Sequence, residues 1–143
     1  MLDADDRWAI TETLSLHGHL FDDGHLDRLD EIFIPEVIYD MSAVGVGVFE
    51  GVEMVRDQAQ KMEQAGVGPL AHHVTNVVIT RETDDGVTTH SKVLMLMRDG
   101  ALESATQLDT LRRHNDGWRI SHRVISPLRP ASNGAKGAHA DGS

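Results

Sequence analysis

Two adjacent histidines, His72 and His73, open a β-branched run, Ala71-His72-His73-Val74-Thr75-Asn76-Val77-Val78-Ile79-Thr80. Successive side chains of a strand point to opposite faces, so His72 shares its face with Val74, Asn76 and Val78 and not with His73. The apolar members of that set turn the face inward, carrying an imidazole and the Asn76 carboxamide into the interior. An imidazole titrates near neutral pH, and an interior one is either a proton-transfer group or a core histidine satisfied by hydrogen bonds; the run itself admits both. His73 falls outside, as a solvated or interface residue.

A third histidine, His17, stands in the middle of an apolar stripe formed with Ile10, Leu14 and Phe21 at helical spacing. Buried there, it needs a partner, either a core group, Asp40 or a ligand. Asp22 and Asp23 close the same helix before Gly24. On an ideal helix Asp22 lies about 120° from the centre of the stripe, so it either swings inward on the last turn or is a solvated turn residue. The nine histidines do not make a metal site: His17 and His19 leave the helix on different sides, and His72 and His73 diverge on a strand. No cysteine is present to supply a thiolate, a disulfide or a zinc ligand. Phosphate-loop, nucleophile-elbow and dinucleotide fingerprints are lacking too, so any chemistry is expected to be cofactor-free.

The elements that must position these groups follow from periodicity. Acidic residues from Asp3 to Asp6 start a helix that Gly24 stops. A short second helix turns Leu26, Leu29, Ile32 and Phe33 inward and is closed by Pro35, and Glu36 to Met41 reads as a strand. Gly51 to Ala65 carries Val52, Val55, Ala59 and Met62 on one face, as a third helix. Four antiparallel strands are then expected, Leu70 to Thr80, Val87 to Met97, Leu102 to Arg112 and Trp118 to Ile125, separated by turns at Asp84-Asp85-Gly86, Arg98-Asp99-Gly100 and His114-Asn115-Asp116-Gly117. The order predicts an α+β fold in which three helices close a cone-shaped, curved antiparallel sheet around an internal pocket. A chain of 143 residues supports one such domain, over residues 1–126. Residues 127–143, rich in Pro, Gly, Ala, Ser and Asn, are too poor in large apolar side chains to order themselves and read as a disordered tail.

Thirteen basic against 23 acidic residues give a formal charge of -10 without a basic block, which argues against nucleic acid and anionic membrane as partners. The acidic N-terminus leads into no apolar signal region, and the expected location is cytoplasmic.

Three segments together resemble the SnoaL-like group of the nuclear transport factor 2-like superfamily. They are Phe21-Asp22-Asp23-Gly24-His25-Leu26-Asp27-Arg28-Leu29 through Phe33; Pro35 to Ser42; and His72 to Asn76 with the ending Asp116-Gly117-Trp118-Arg119-Ile120-Ser121-His122-Arg123. The superfamily includes scytalone dehydratase, polyketide cyclases, ketosteroid isomerase and hexachlorocyclohexane dehydrochlorinase. Its fold is the cystatin-like α+β barrel. The resemblance implies an acid–base enzyme of dehydratase or cyclase type acting on a small, apolar, carbonyl-bearing substrate, with His72 as general base and Asp22 orienting it. Against the dehydratase the chain departs at two places, where Met97 stands for a second histidine and Met41 for a substrate-orienting tyrosine, which implies a more apolar pocket. Against the isomerase, Asp40 falls near the general base, Asp109 near the acid of the oxyanion site and His17 at the tyrosine, implying an isomerase alternative. Arg123 falls where related proteins look into the cavity; it either binds a substrate oxygen or pairs with Asp109. A non-catalytic binding or protein-interaction module of the same fold is the remaining alternative, and a homodimer through the outer sheet face is implied by the habit of relatives.

Overall fold

The computed structural model describes residues 1–128. Helix α1 spans Ala4–Asp22 and begins at Asp3, whose carboxylate accepts from the Asp6 amide at 2.8 Å while Asp6 accepts from the Asp3 amide at 3.1 Å. This reciprocal cap satisfies two of the free N–H groups at the helix start. After Gly24, in a left-handed conformation, comes a 3₁₀ helix at Leu26–Glu31 that buries Leu26 and Leu29. Strand β1 follows at Phe33–Asp40, β2 at Val48–Glu50, helix α2 at Val52–Gln64, and then the meander β3 Pro69–Thr83, β4 Gly86–Met97, β5 Leu102–His114 and β6 Gly117–Pro127.

The six strands form one sheet in the order β2-β1-β6-β5-β4-β3. The fold is the expected α+β architecture around a curved sheet. It differs from the wholly antiparallel, closed form in two respects: β1 runs parallel to β6, and β2 and β3 are left as free edges, so the sheet does not close into a barrel. β1 also starts earlier than Glu36 because Pro35, expected to end the preceding helix, is accommodated within the strand beside a register irregularity with β6, as a residue without an N–H must be. Three residues after a pair of glycines gave β2 no periodic signal. Pro127, placed in the expected tail, is the last residue of β6 and pairs with Ala105; the rest of that tail from residue 129 lies outside the described residues. No helix among the described residues is long and apolar enough to cross a membrane.

Two bulges decide which side chains reach the interior. In β3 the register shifts between Thr75 and Val78, with Asn76 in the left-handed region at φ 56°. An extra residue inverts alternation downstream. His72 and Val74 therefore keep the inner face, Val77 and Ile79 succeed them there, and Asn76 and Val78, the latter 57% exposed, go to solvent. In β6 the register shifts beside Ser121, which lets both Ile120 and Arg123 point inward although they are an odd number of residues apart.

Helix α1 lies over β3 and β6. Thr13 donates to the Trp118 carbonyl at 3.0 Å, and Gly18 approaches β3 so closely that a Cβ there would meet the His72 carbonyl oxygen at 2.6 Å. Ordinary helix propensity favours alanine over glycine by about 1 kcal/mol, whereas forcing an atom into this contact costs about 1–3 kcal/mol. Gly18→Ala is therefore expected to lower the free energy of unfolding in urea; a gain in stability would contradict the close approach of α1 to β3.

Candidate active site

A cavity of about 380 Å³ opens between α1, α2 and the inner sheet face, within the size range of small-molecule sites. Its walls are largely apolar: Phe21, Leu26, Met41, Phe49, Met62 and Met95 all contribute. Against that background polar side chains converge, Asp22 and His17 from α1, Tyr39 from β1 and His72 from β3, with Gln58, Glu63 and Arg98 elsewhere in the lining.

Gly18 and Asp22 are one helical turn apart, so both face β3. The close approach at Gly18 brings the Asp22 carboxylate onto the start of that strand. Asp22 Oδ2 accepts from the His72 backbone N–H at 2.8 Å, and Oδ1 lies 2.6 Å from His72 Nδ1. Both side chains are more than four-fifths buried. The carboxylate thus grips the residue at two points, fixing both the strand and the ring. The second ring nitrogen, Nε2, bonds nothing among the described residues and belongs to a ring that lines the cavity. No frayed helix end is needed to bring Asp22 inward, since the Asp23 amide still bonds the His19 carbonyl at 2.9 Å.

Beside this pair, His17 is 3% exposed and stacks on Phe21 with ring centroids 4.2 Å apart. Its ring meets that of His72 edge-on at 5.8 Å. His17 Nε2 lies 3.1 Å from the hydroxyl of Tyr39, a buried tyrosine on β1. Burial, then the charge of Arg123 and the neighbouring His72, hold the His17 imidazole well below its ordinary protonation range, so it is neutral at physiological pH. Burial pushes the Tyr39 phenol up, with Arg123 opposing that shift, and the hydroxyl remains protonated.

Of the residues singled out in the sequence, His72, Asp22, His17 and Met41 line the cavity; Asn76, Asp40, Met97, Asp109 and Arg123 do not. Asn76 is expelled by the β3 bulge. Asp40 is turned away into a local turn, where its Oδ1 accepts from the Ser42 amide at 2.9 Å and the Ser42 hydroxyl at 2.6 Å; those bonds lower its pKa. Met97 is half-buried at the end of β4, beyond the cavity wall that Met95 forms. Asp109 and Arg123 are fully buried and bonded to each other, Nε to Oδ1 at 2.6 Å and Nη2 to Oδ2 at 3.0 Å. The ion pair, rather than a substrate contact, is the arrangement found.

Tyr39, Gly18 and the lining residues Gln58, Glu63 and Arg98 carry no site expectation in the sequence reading. Tyr39 is the only tyrosine of the chain and alternates with Val37 and Met41, a usable signal for an inward ring whose polar tip needs a partner. Gly18 carried none, because a glycine inside a helical run does not announce what packs against it.

A family model described as SnoaL-like domain matches residues 3–124. No curated protein matches the sequence. Among solved structures, a nuclear transport factor 2-like protein with a cystatin-like fold from Novosphingobium aromaticivorans is 24% identical with a TM-score of 0.75, the match covering 93% of this chain and 88% of that one. LinA is 24% identical with a TM-score of 0.71, covering 87% and 90%. A provisionally assigned scytalone dehydratase from Novosphingobium aromaticivorans is 16% identical with a TM-score of 0.73, covering 88% and 95%. At these identities the likeness establishes the fold alone.

The neutral His17 gives the site a stability signature. As the pH falls through about 6.5, the unfolded chain binds a proton at this position that the folded protein refuses, so folding stability declines, by at most about 1.4 kcal/mol per pH unit. His17→Gln removes that contribution. Thermal unfolding followed from about pH 7 to about pH 5 is expected to show a shallower loss in the variant than in the wild type; parallel slopes would mean that His17 takes up its proton in the folded state.

Proposed function

The chain belongs to the SnoaL-like domain family, and from that premise we propose that it is a cofactor-free acid–base enzyme that removes a proton from a small, largely apolar, carbonyl-bearing substrate and completes an elimination or cyclisation. The observation that carries this reading is the two-point grip of Asp22 on His72.

A carboxylate on Nδ1 keeps the neutral ring's proton there and leaves the Nε2 lone pair toward the cavity, ready to accept a proton from substrate carbon. The imidazolium that forms is then stabilised by the same carboxylate through a short, charge-assisted bond. Loss of a proton next to a carbonyl moves negative charge onto the carbonyl oxygen. Tyr39, whose hydroxyl is held by the neutral His17, is a hydrogen-bond donor available for it, and the apolar walls make such a bond stronger than it would be in water. Protonated His72 then returns its proton to a leaving hydroxyl, or to a carbon or oxygen of the cyclised product.

With Asp40 tied to Ser42 and Asp109 to Arg123, neither the carboxylate near the isomerase's base nor the one near its oxyanion acid faces the cavity, which favours the His72 reading. Met41 and Met95 supply flexible, polarisable walls that suit a substrate of irregular apolar shape.

Exchange of α-protons for deuterium tests the base without knowledge of the complete reaction. Incubated in heavy water with a panel of bicyclic aromatic ketones, the wild type is expected to catalyse exchange at the α-carbon, read by NMR. His72→Ala should lower the rate by roughly 10²–10⁴-fold. Asp22→Asn should lower the maximal rate with binding nearly intact, and the double variant should be no worse than His72→Ala, because the carboxylate acts only through the ring. Unchanged exchange in a folded His72→Ala protein would remove His72 from the mechanism.

A further inference from the structure

Strand register sets four buried side chains in a row across the inner sheet face: Tyr39 of β1 beside Arg123 of β6, Arg123 beside Asp109 of β5, and Asp109 beside Thr89 of β4. A charged pair in a buried row needs a reason. A fully buried ion pair is often neutral or inferior to apolar residues of the same volume, and here the pair is incompletely satisfied as well, since Arg123 Nη1 has no hydrogen-bond partner. Leaving a buried donor unpaired is costly, the more so when it is charged.

The geometry shows where that unspent donor is aimed. Asp109 occupies the Nε and Nη2 edge of the guanidinium, and in a planar trigonal group the third nitrogen points directly away from that edge. Asp109 stands on the β5 side of β6, so Nη1 is turned toward β1, where Tyr39 lies. The guanidinium carbon is 5.8 Å from the centre of the Tyr39 ring. Tyr39 in turn lines the cavity and holds His17. Arg123 does not line the cavity, so whatever it does for the reaction passes through residues that do, Tyr39 and His17.

We propose that Arg123, clamped by Asp109, is a positioning residue that holds a positive charge behind Tyr39 and makes its hydroxyl a strong hydrogen-bond donor toward negative charge developing on a substrate oxygen. The cation favours electron density moving onto the phenol oxygen and disfavours a second cation at His17. His17 then remains a neutral partner that donates from Nε2 to the Tyr39 oxygen, leaving the Tyr39 O–H directed at the cavity. Asp109 both anchors the guanidinium and moderates its field. This inference rests on the proposed acid–base reading for the use of the donor, but the field itself is measurable without any turnover.

Because the chain has one tyrosine, the near-ultraviolet absorbance of phenolate titrates Tyr39 alone, with far-ultraviolet circular dichroism on the same samples to exclude unfolding. The double variant Arg123→Met with Asp109→Leu keeps the volume and removes both charges. Its Tyr39 midpoint is expected to rise by about one unit. Asp109→Asn keeps the cation and removes its counter-charge, and its midpoint is expected to fall. Opposite shifts from two changes in one contact are not what a merely structural pair would give. As a second measurement, 4-nitrophenolate serves as a stable oxyanion: the wild type and His72→Ala should bind it, and the double variant about tenfold more weakly. Where the double variant does not fold, the Asp109→Asn shift decides. A Tyr39 midpoint that stays put or moves the other way in either variant, or equal 4-nitrophenolate affinity in wild type and folded double variant, would overturn the proposal; loss of deuterium exchange with these shifts intact would leave it standing and sink only the base assignment.

Discussion

Everything in the site depends on how closely α1 can lie on β3. The contact is made at Gly18, where backbone meets backbone with no room for a methyl group. One turn later the same helix face delivers the Asp22 carboxylate to both the amide and the ring of His72. A larger residue at position 18 would lift the helix, and the carboxylate with it, away from a strand whose first inward side chain is the candidate base. The placement of the carboxylate is thus set by a residue with no chemistry of its own. Such placement matters to proton transfer, which tolerates little displacement between donor and acceptor.

The second constraint is electrostatic. The cavity wall carries Asp22 and His72 with His17 beside them and Tyr39 bonded to His17, while the charge of Arg123 is kept behind the wall by Asp109. Charges that would be screened at the surface act strongly in such surroundings. The same surroundings keep His17 neutral. The interior thus holds one buried ion pair beside neutral polar groups such as Ser91 and Gln107, an arrangement that sacrifices some folding stability for a fixed field around the cavity.

Much of this was legible in the sequence, and what was not has a common cause. Alternation alone correctly turned His72 inward because that residue precedes the β3 bulge. The same alternation failed for Asn76 and Val78, which follow it. An asparagine is one of the few residues that enters the left-handed region readily, so Asn76 itself was the available warning. In β6 the bulge beside Ser121 hid the fact that Ile120 and Arg123 share a face. Asp22 was placed off the apolar stripe of α1, and rightly so; the error was to take one stripe for the whole buried surface, when the helix also buries Thr13 and Gly18 against the sheet. Family resemblance pointed to Asp22 where periodicity could not decide, but it carried Asp40 and Asp109 toward a cavity that neither enters.

The central claim is that Asp22 holds His72 with its proton on Nδ1 and its lone pair on Nε2. Long-range nitrogen–proton correlation NMR of the neutral imidazole reads this directly. The expected result is a protonated Nδ1 with a far-downfield proton and an unprotonated Nε2, the downfield signal disappearing in Asp22→Asn. A His72 ring that carries its proton on Nε2 in the wild type, or a signal indifferent to Asp22, would contradict it.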